Sequence, residues 1–213
     1  MKKTPMNNRG LYNTSTVRRN GDDDDDDLYA YHDIKVVGDH VWFYAPITPA
    51  SSLKLNAILQ DLSMRLAPTA FSSMHEVGQP SPIWLHINSS GGEVFSAFAM
   101  ADTIQRISAI IPIVTIVEGC AASGATFASI AGTKRLMRKN AFMLVHELRN
   151  GNWGSYSELK EDMTNNNTIM KAIKEWYKEN TKIPEKEMDN ILSRDIWWNA
   201  KTCLKYGLID QII

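Results

Sequence analysis

Ser123 lies in a stretch of small residues, GCAASGATFASIAG (119–132), at the junction between a strand pattern and a helix pattern. A serine just after a strand can expose its hydroxyl at the strand tip, while amide groups at the helix start face the group that it attacks. The nucleophile elbow of hydrolases uses this arrangement, although its G-x-S-x-G spacing is absent here. Two interpretations therefore stay open: Ser123 is a nucleophile, or it is a helix-capping residue among alanines that are small for packing.

A nucleophilic serine needs a base, and the base usually needs a third group that orients it. His146 ends the apolar segment FMLV, which places its imidazole at a strand end. Asp195 precedes the bulky sequence IWW, which can shield a carboxylate from water. The rival histidine, His86, lies within IWLHI on the opposite alternation from the aliphatic residues, so we expect it to be packed or at a rim.

Gly91 and Gly92 lie between the strand pattern IWLHI (83–87) and the helix pattern of residues 94–110. Backbone N–H groups at such a junction can bind a phosphate or a transient oxyanion. The spacing fits neither a dinucleotide fingerprint nor a P-loop. A plain tight turn is the alternative interpretation.

The elements that must position these residues alternate between strand and helix patterns. The predicted strands are 40–47, 83–87, 111–119 and part of 134–147, the predicted helices are 51–66, 94–110, 155–180 and PEKEMDNILS, and 67–82 is a predicted loop. The nearly continuous apolar run 111–119 is typical of a parallel sheet covered on both faces. The alternation predicts βαβ units in a layered α/β domain.

The composition excludes several classes of protein. A length of 213 residues suits one sizeable domain, and a net charge of -1 gives no basic field that would attract nucleic acid. An apolar leader and a membrane-spanning apolar run are both lacking, which predicts a cytoplasmic protein with no membrane segment. Cys120 and Cys203 are too few for a disulfide framework, and the histidines lack ligand-like spacing, so no metal site is expected.

Residues 1–28 differ from the rest of the chain. Basic residues between positions 2 and 19 precede six consecutive acids, Asp22 to Asp27. Like charges at this density repel one another and cannot bury apolar surface, so we expect a flexible charged tail. A processed leader and a flexible gate are both compatible with it, and the globular region is expected to begin near Tyr29.

Four segments, in this order, resemble the Clp protease proteolytic subunit family: INSSGGEVFSAFAMADTIQ, GCAASGATFASIAGTKRLM, AFMLVHE and DIWWNAKTCLKYGLID. The similarity covers roughly residues 35–213 and is strongest at 83–147 and 195–210. The resemblance implies an α/β fold of the crotonase-like type, a spiral of ββα units. It also implies a peptidase domain over 29–213 with a protruding helical handle at about 150–180.

The resemblance further implies a role for each site residue. Ser123 would be the nucleophile, His146 the general base and Asp195 the group that orients the imidazole. The N–H groups of Gly92 and Gly124 would form the oxyanion hole. Members of the family hydrolyse peptides or unfolded proteins inside two stacked seven-membered rings, fed by a partner AAA+ unfoldase. No cofactor is expected, because this chain has no G-x-x-x-x-G-K-[ST] motif and ATP would belong to the partner.

The chain departs from the family pattern beside each functional residue. Ser90 stands where proline usually precedes the glycine pair, and Gly124 stands where methionine usually follows the serine. Glu147 replaces glutamine after His146, and a carboxylate that points inward there would raise the pKa of the imidazole and move the pH optimum upward. RNGNWGSYSE replaces a more glycine-rich substrate-binding stretch, so the peptide preference is expected to differ.

Three other hypotheses remain open at this point. The glycine turn also suits a crotonase-type enzyme acting on an acyl-CoA thioester, and the whole chain suits a non-catalytic structural ring subunit. A Ser–Lys peptidase would use Lys134, the nearest lysine after Ser123. Cys120 is the competing nucleophile, although a cysteine at the end of an apolar strand usually behaves as a small buried hydrophobe.

Overall fold

The computed structural model describes residues 34–72 and 81–213, and describes side chains for all of these except 68–72. The charged tail predicted at 1–28 and the domain start predicted near Tyr29 lie outside the described residues. The described elements are, in chain order, β1 (Ile34–Val37), β2 (His40–Phe43), α1 (Pro49–Ser72), β3 (Ile83–Ser89), α2 (Val94–Ser108), β4 (Ile113–Ala122), α3 (Ala125–Ile130), β5 (Lys134–Met137), β6 (Phe142–Leu144), α4 (Tyr156–Asn180), α5 (Glu185–Leu192), β7 (Trp197–Asn199), α6 (Ala200–Lys205) and β8 (Gln211–Ile212).

The main sheet has the strand order β1-β2-β3-β4-β5-β8. β1 and β2 form an antiparallel hairpin, and every further neighbour in this order is parallel. Parallel strands require crossover connections, which is why strands and helices alternate along the chain. The apolar runs predicted at 83–87 and 111–119 are the centre of this sheet, and Leu85 and Val117 are completely buried in it.

Helix α2 covers one face of the sheet with side chains that recur at helical spacing. Its buried apolar residues are Ala97, Met100, Ala101, Ile104 and Ile107. The helix starts where Glu93 accepts a hydrogen bond from the Ser96 amide at 2.9 Å, which satisfies one of the free N–H groups of the first turn. Helix α1 packs against α2 and continues to Ser72, so it includes the first six residues of the predicted loop 67–82.

Strand β4 has different neighbours along its length. Its first half pairs with β5, up to Val117 opposite Met137, whereas its last residues pair with β6, up to Ala122 opposite Leu144. β6 in turn pairs with β7 in an antiparallel register. This branch brings two further chain segments to the end of β4, where Ser123 follows.

Helix α4 falls within the range predicted for the handle. It begins with a capping box, in which Ser155 and Glu158 satisfy each other's backbone N–H groups. Its buried residues, Ile173, Trp176 and Tyr177, all belong to the C-terminal third of the helix. None of the helices in the described part of the chain has the length and apolar character that a membrane-spanning helix requires.

Candidate active site

Ser123 directly follows β4 and adopts a backbone conformation that serine rarely takes. Its φ is +53°, and among the described residues it is the only non-glycine residue with a positive φ. A left-handed conformation costs an L-residue about 1–2 kcal/mol, so other contacts must hold it. The Ser123 amide donates to the Leu144 carbonyl at 2.8 Å, and the Ser123 carbonyl accepts from the Thr126 amide at 3.0 Å.

The helix-capping interpretation of Ser123 is wrong. Gly124 is the N-cap of α3, and no side-chain capping bond is made there. Within the described residues the Ser123 hydroxyl has no hydrogen-bond partner, and the residue is half-buried. The strained turn therefore leaves the hydroxyl free at the tip of β4.

The turn that contains the glycine pair packs directly against the Ser123 turn. A Cβ atom on Gly91 would collide with the Ala122 carbonyl oxygen and would lie 2.8 Å from Ser123 Cβ and 3.0 Å from the Gly124 nitrogen. The φ of Gly91 is +83°, which glycine adopts without strain. A plain tight turn would need glycine at position 91 only for its positive φ. Here glycine is also needed because the Ser123 turn leaves no space for a side chain.

Two amide groups near Ser123 remain unused. The N–H groups of Gly92 and Gly124 donate to no other residue that the structure describes. The two glycines come from adjoining turns, because a Cβ on Gly124 would lie 3.7 Å from the Gly92 carbonyl oxygen. Free amides beside a serine hydroxyl can stabilise an oxyanion that forms on an attacked carbonyl.

The strand register brings His146 and Asp195 to the same place. Leu144 of β6 lies opposite Trp197 of β7 in the antiparallel pair. His146 lies two residues after Leu144 and Asp195 two residues before Trp197, so the same register places them opposite each other. His146 Nδ1 accordingly lies 3.1 Å from Asp195 Oδ1. His146 is also only two residues from Leu144, the residue whose carbonyl binds the Ser123 amide.

The contact between His146 and Asp195 is an ion-pair contact rather than a formed hydrogen bond. The two atoms lie 3.1 Å apart, but Nδ1 makes no hydrogen bond to any of the described residues. Nε2 is likewise buried without a partner, so the described residues include no bond between it and Ser123 Oγ. Catalytic hydrogen bonds are often long or misaligned before substrate binds.

Burial lowers the pKa of His146 below its usual value, and the positive charge of Arg149 lowers it further. Glu147 acts in the opposite direction and raises this pKa, as the sequence predicts. The net pKa of His146 is nevertheless lowered, since burial and Arg149 outweigh Glu147. The side chain of His146 is only 10% exposed, whereas Glu147 is exposed and keeps its hydration.

His86 lies elsewhere in the fold, as predicted. It is 6% exposed, and both of its ring nitrogens are occupied, Nδ1 by Glu118 at 2.7 Å and Nε2 by His40 at 2.9 Å. It pairs with Ile116 in the sheet, six residues before the end of β4, which corresponds to about 20 Å of strand. His86 is therefore a packed histidine on the opposite face of the sheet from the aliphatic core.

The structure gives no support to Cys120 as the nucleophile or to Lys134 as the base. Burial raises the pKa of the Cys120 thiol, and its Sγ faces the Ser89 carbonyl at 3.6 Å, so the thiolate is disfavoured. Lys134 lies opposite Val114 near the start of β4, about 26 Å of strand from the Ser123 end. Within the described ranges, no three histidine, cysteine, aspartate or glutamate side chains group as a metal site would require.

Gly124 leaves no room for a side chain between the serine turn and α2. A Cβ atom there would lie 2.8 Å from Ala97 Cβ, on the buried face of α2. The glycine in place of methionine thus accompanies a close approach of α2 to the Ser123 turn. Overpacking at such a contact typically costs about 1–3 kcal/mol.

One site residue escaped prediction from the sequence. Arg149 pairs through Nη2 with Asp195 Oδ2, the carboxylate oxygen that does not face His146. In the sequence, Arg149 stands within RNGNWG, which has the composition of a surface loop. Only its spacing of three residues from His146 could have indicated a place near the imidazole.

The fold and the site together define a class of protein, an α/β domain with the arrangement of a serine hydrolase. A strained serine ends one strand, a buried histidine follows the neighbouring strand, and an aspartate meets that histidine. A family model described as Clp protease matches residues 59–213. The chain belongs to the Clp protease family and is a serine endopeptidase, and the predicted crotonase-like fold is confirmed.

Three curated relatives are similar to most of the chain. The ATP-dependent Clp protease proteolytic subunit of Deinococcus radiodurans is 27% identical over 189 residues, which cover 88% of this chain and 84% of the relative. Subunit 2 of the same protease from Treponema denticola is 32% identical over 65% of this chain and 70% of the relative. The Streptococcus mutans subunit is 33% identical over 62% of this chain and 68% of the relative.

Proposed function

We propose that Ser123, His146 and Asp195 are the catalytic triad of this endopeptidase. His146 Nε2 accepts the proton of the Ser123 hydroxyl while Oγ attacks the peptide carbonyl carbon. Asp195 holds the Nδ1 side of the ring and stabilises the imidazolium that forms. The tetrahedral intermediate then collapses, His146 protonates the leaving amine, and water hydrolyses the acyl-enzyme by the same steps in reverse.

The N–H groups of Gly92 and Gly124 form the oxyanion hole in this proposal. Both are free of acceptors among the described residues, so they can donate to the oxygen on which charge develops. Amides held by two packed turns do not have to reorganise during the reaction, which is the condition under which such donors are most effective.

The observation that carries the proposal is the φ of +53° at Ser123. A serine that only filled space would relax to an ordinary conformation, since the strain costs about 1–2 kcal/mol. Strain of this kind persists at functional sites, where it orients a reacting group. Cys120 stands within β4 and has no positive φ, so this strain distinguishes Ser123 from it.

The substrate of this reaction is a peptide or an unfolded protein, delivered by a separate AAA+ unfoldase in the cytoplasm. The curated relatives are named as proteolytic subunits of an ATP-dependent protease, and this chain has no P-loop motif of its own. Fourteen copies assemble as two stacked rings of seven, with residues 150–180 as the handle between the rings. The charged segment 1–28 precedes a peptidase domain at 29–213.

Hydrolysis of an unfolded protein such as reduced, denatured casein tests this assignment. The assembled wild-type chain and Cys120→Ala should both release peptides, whereas Ser123→Ala should lose at least about a thousandfold in rate, as expected for loss of a serine nucleophile. Cys120→Ala is the matched control, because it removes the other candidate nucleophile three residues away. Loss of activity in Cys120→Ala with activity retained in Ser123→Ala would assign the reaction to the thiol.

A further inference from the structure

The carboxylate of Asp195 is held from two sides. Its Oδ1 lies 3.1 Å from His146 Nδ1, and its Oδ2 pairs with Arg149 Nη2. No other ion pair or hydrogen bond to this carboxylate occurs in the described part of the chain. The Asp195 side chain is 50% exposed, so without Arg149 water would compete for Oδ2 and the carboxylate could rotate away from the ring.

The backbone that carries Arg149 is anchored to its surroundings. The Glu147 amide donates to the carbonyl of Leu192, the last residue of α5, at 2.8 Å. The Leu148 amide faces the Met170 sulfur of α4 at 3.1 Å. These two contacts fix the segment that follows β6 against the chain that leads to Asp195, so the guanidinium reaches the carboxylate from a held backbone.

We propose that Arg149 is a positioning residue for the triad, which fixes the Asp195 carboxylate beside the ring of His146. This inference rests on the proposed roles of Ser123, His146 and Asp195. A guanidinium is planar and always charged, which suits it to hold one carboxylate oxygen while the other faces a ring. Arg149 is 66% exposed, and exposed ion pairs add little to stability. We therefore expect Arg149 to affect the orientation of the Asp195 carboxylate and the charge near His146 rather than the stability of the fold.

Three charged groups act on His146 in the described structure. Glu147 favours the imidazolium and Arg149 opposes it. The Asp195 carboxylate, 3.1 Å from Nδ1, favours the imidazolium as a close negative charge does. Because a nearby cation disfavours protonation of the ring, Arg149 keeps His146 neutral at lower pH. A neutral imidazole is the form that accepts the serine proton. Removal of Arg149 removes the opposing charge, and this change raises the pKa of His146.

The pH dependence of labelling by a fluorophosphonate probe measures both effects without a known substrate. The rate constant should be determined from pH 5 to pH 9 for the assembled wild type, Arg149→Gln, Arg149→Lys and the control Arg65→Gln. Arg65 is a comparably exposed arginine, paired with Asp61 on α1. In Arg149→Gln we expect the acid midpoint, the pH at which the labelling rate constant is half its maximum, to rise by about 0.2–0.7 pH unit, the range for an exposed charge pair. The maximal rate constant, reached at high pH, should fall severalfold.

The variants separate positioning from a merely structural role. Arg149→Lys keeps the cation, so its midpoint should stay within experimental error of the wild type while its plateau falls less than in Arg149→Gln. An Arg149→Gln profile that coincides with that of Arg65→Gln would overturn the inference, as would a lower melting temperature with an unmoved midpoint. If the wild type itself is not labelled at Ser123, the proposed function fails, which is a different and recognisable result.

Discussion

At the scale of single residues, the charges around His146 determine the pH range in which it can act as a base. Burial and Arg149 lower its pKa, and Glu147 raises it. Activity that depends on the neutral ring is lost as the pH falls through this pKa, so a lowered value extends activity below the usual histidine value of about 6.5. The enzyme should therefore remain active at mildly acidic pH.

Glu147→Gln should extend this range further. The substitution removes a carboxylate that favours the imidazolium, so the pKa of His146 falls and the acid midpoint of the labelling rate moves down by about 0.2–0.7 pH unit. Glu161→Gln, an exposed acid on α4, is the control and should leave the midpoint in place. An upward movement in Glu147→Gln would mean that the sign of the Glu147 effect is wrong.

Residue types and their neighbours were sufficient to select Ser123, His146 and Asp195 as candidates, because each follows or precedes an apolar strand. The balance of charges was not predictable in this way. Arg149 meets Asp195 across 46 positions of sequence, and its effect depends on burial of His146, which no local pattern shows. The positive φ of Ser123 was also hidden, since left-handed backbone is usually signalled by glycine or asparagine.

At the scale of elements, two turns hold Ser123, the proposed nucleophile, in place. The Ser123 turn is fixed to β6 by the Leu144 carbonyl, and the glycine turn after β3 fills the space beside it. The backbone of Gly91 lies so close to the Ser123 turn that no space remains for a side chain at position 91. Any Cβ at position 91 must therefore displace the Ser123 turn, the glycine turn or both.

Gly91→Ala compared with Gly38→Ala tests this packing. Both glycines have a positive φ, of +83° and +62°, but a Cβ on Gly38 meets nothing within 4 Å. Each alanine should cost about 1–2 kcal/mol in backbone strain, and Gly91→Ala should cost about 1–3 kcal/mol more for overpacking. Thermal unfolding at fixed protein concentration measures the difference in stability between the two variants. Only Gly91→Ala should slow fluorophosphonate labelling, and equal labelling rates in the two variants would contradict the account.

The central elements of the fold were predictable because their apolar patterns are strong. The runs at 83–87 and 111–119 are β3 and β4, and the helix predicted at 94–110 is α2. The strand pairing was not predictable, because β4 changes neighbours from β5 to β6 partway along its length. β7 has only three residues, Trp197 to Asn199, too few for an alternation to be recognised, yet its register places Asp195.

At the scale of the whole molecule, apolar side chains near the start of α4 are exposed in the single chain. Tyr156 is 82% exposed and Met163 60% exposed. The buried residues of α4 all lie at positions 173–177, so the first part of the helix buries no side chain against the described residues. Exposed apolar clusters of this kind are typical of contact surfaces between proteins, which agrees with the handle proposed between two rings.

Tyr156→Ser combined with Met163→Ser should separate the two rings. Loss of these apolar side chains removes the hydrophobic contribution to the contact, so native mass spectrometry should show particles of seven chains in place of fourteen. Lys160→Ser, an exposed substitution on the same helix, should leave the fourteen-chain particle intact. Particles of fourteen chains in the double variant would contradict the role of α4 as the handle.

The position of a covalent fluorophosphonate adduct identifies the nucleophile. Assembled wild-type protein should gain one probe mass per chain, and peptide mapping should place it on Ser123. Ser123→Ala should gain no mass under the same conditions, whereas Cys120→Ala should be labelled like the wild type. An adduct on another residue, or equal labelling of Ser123→Ala, would show that Ser123 is not the nucleophile.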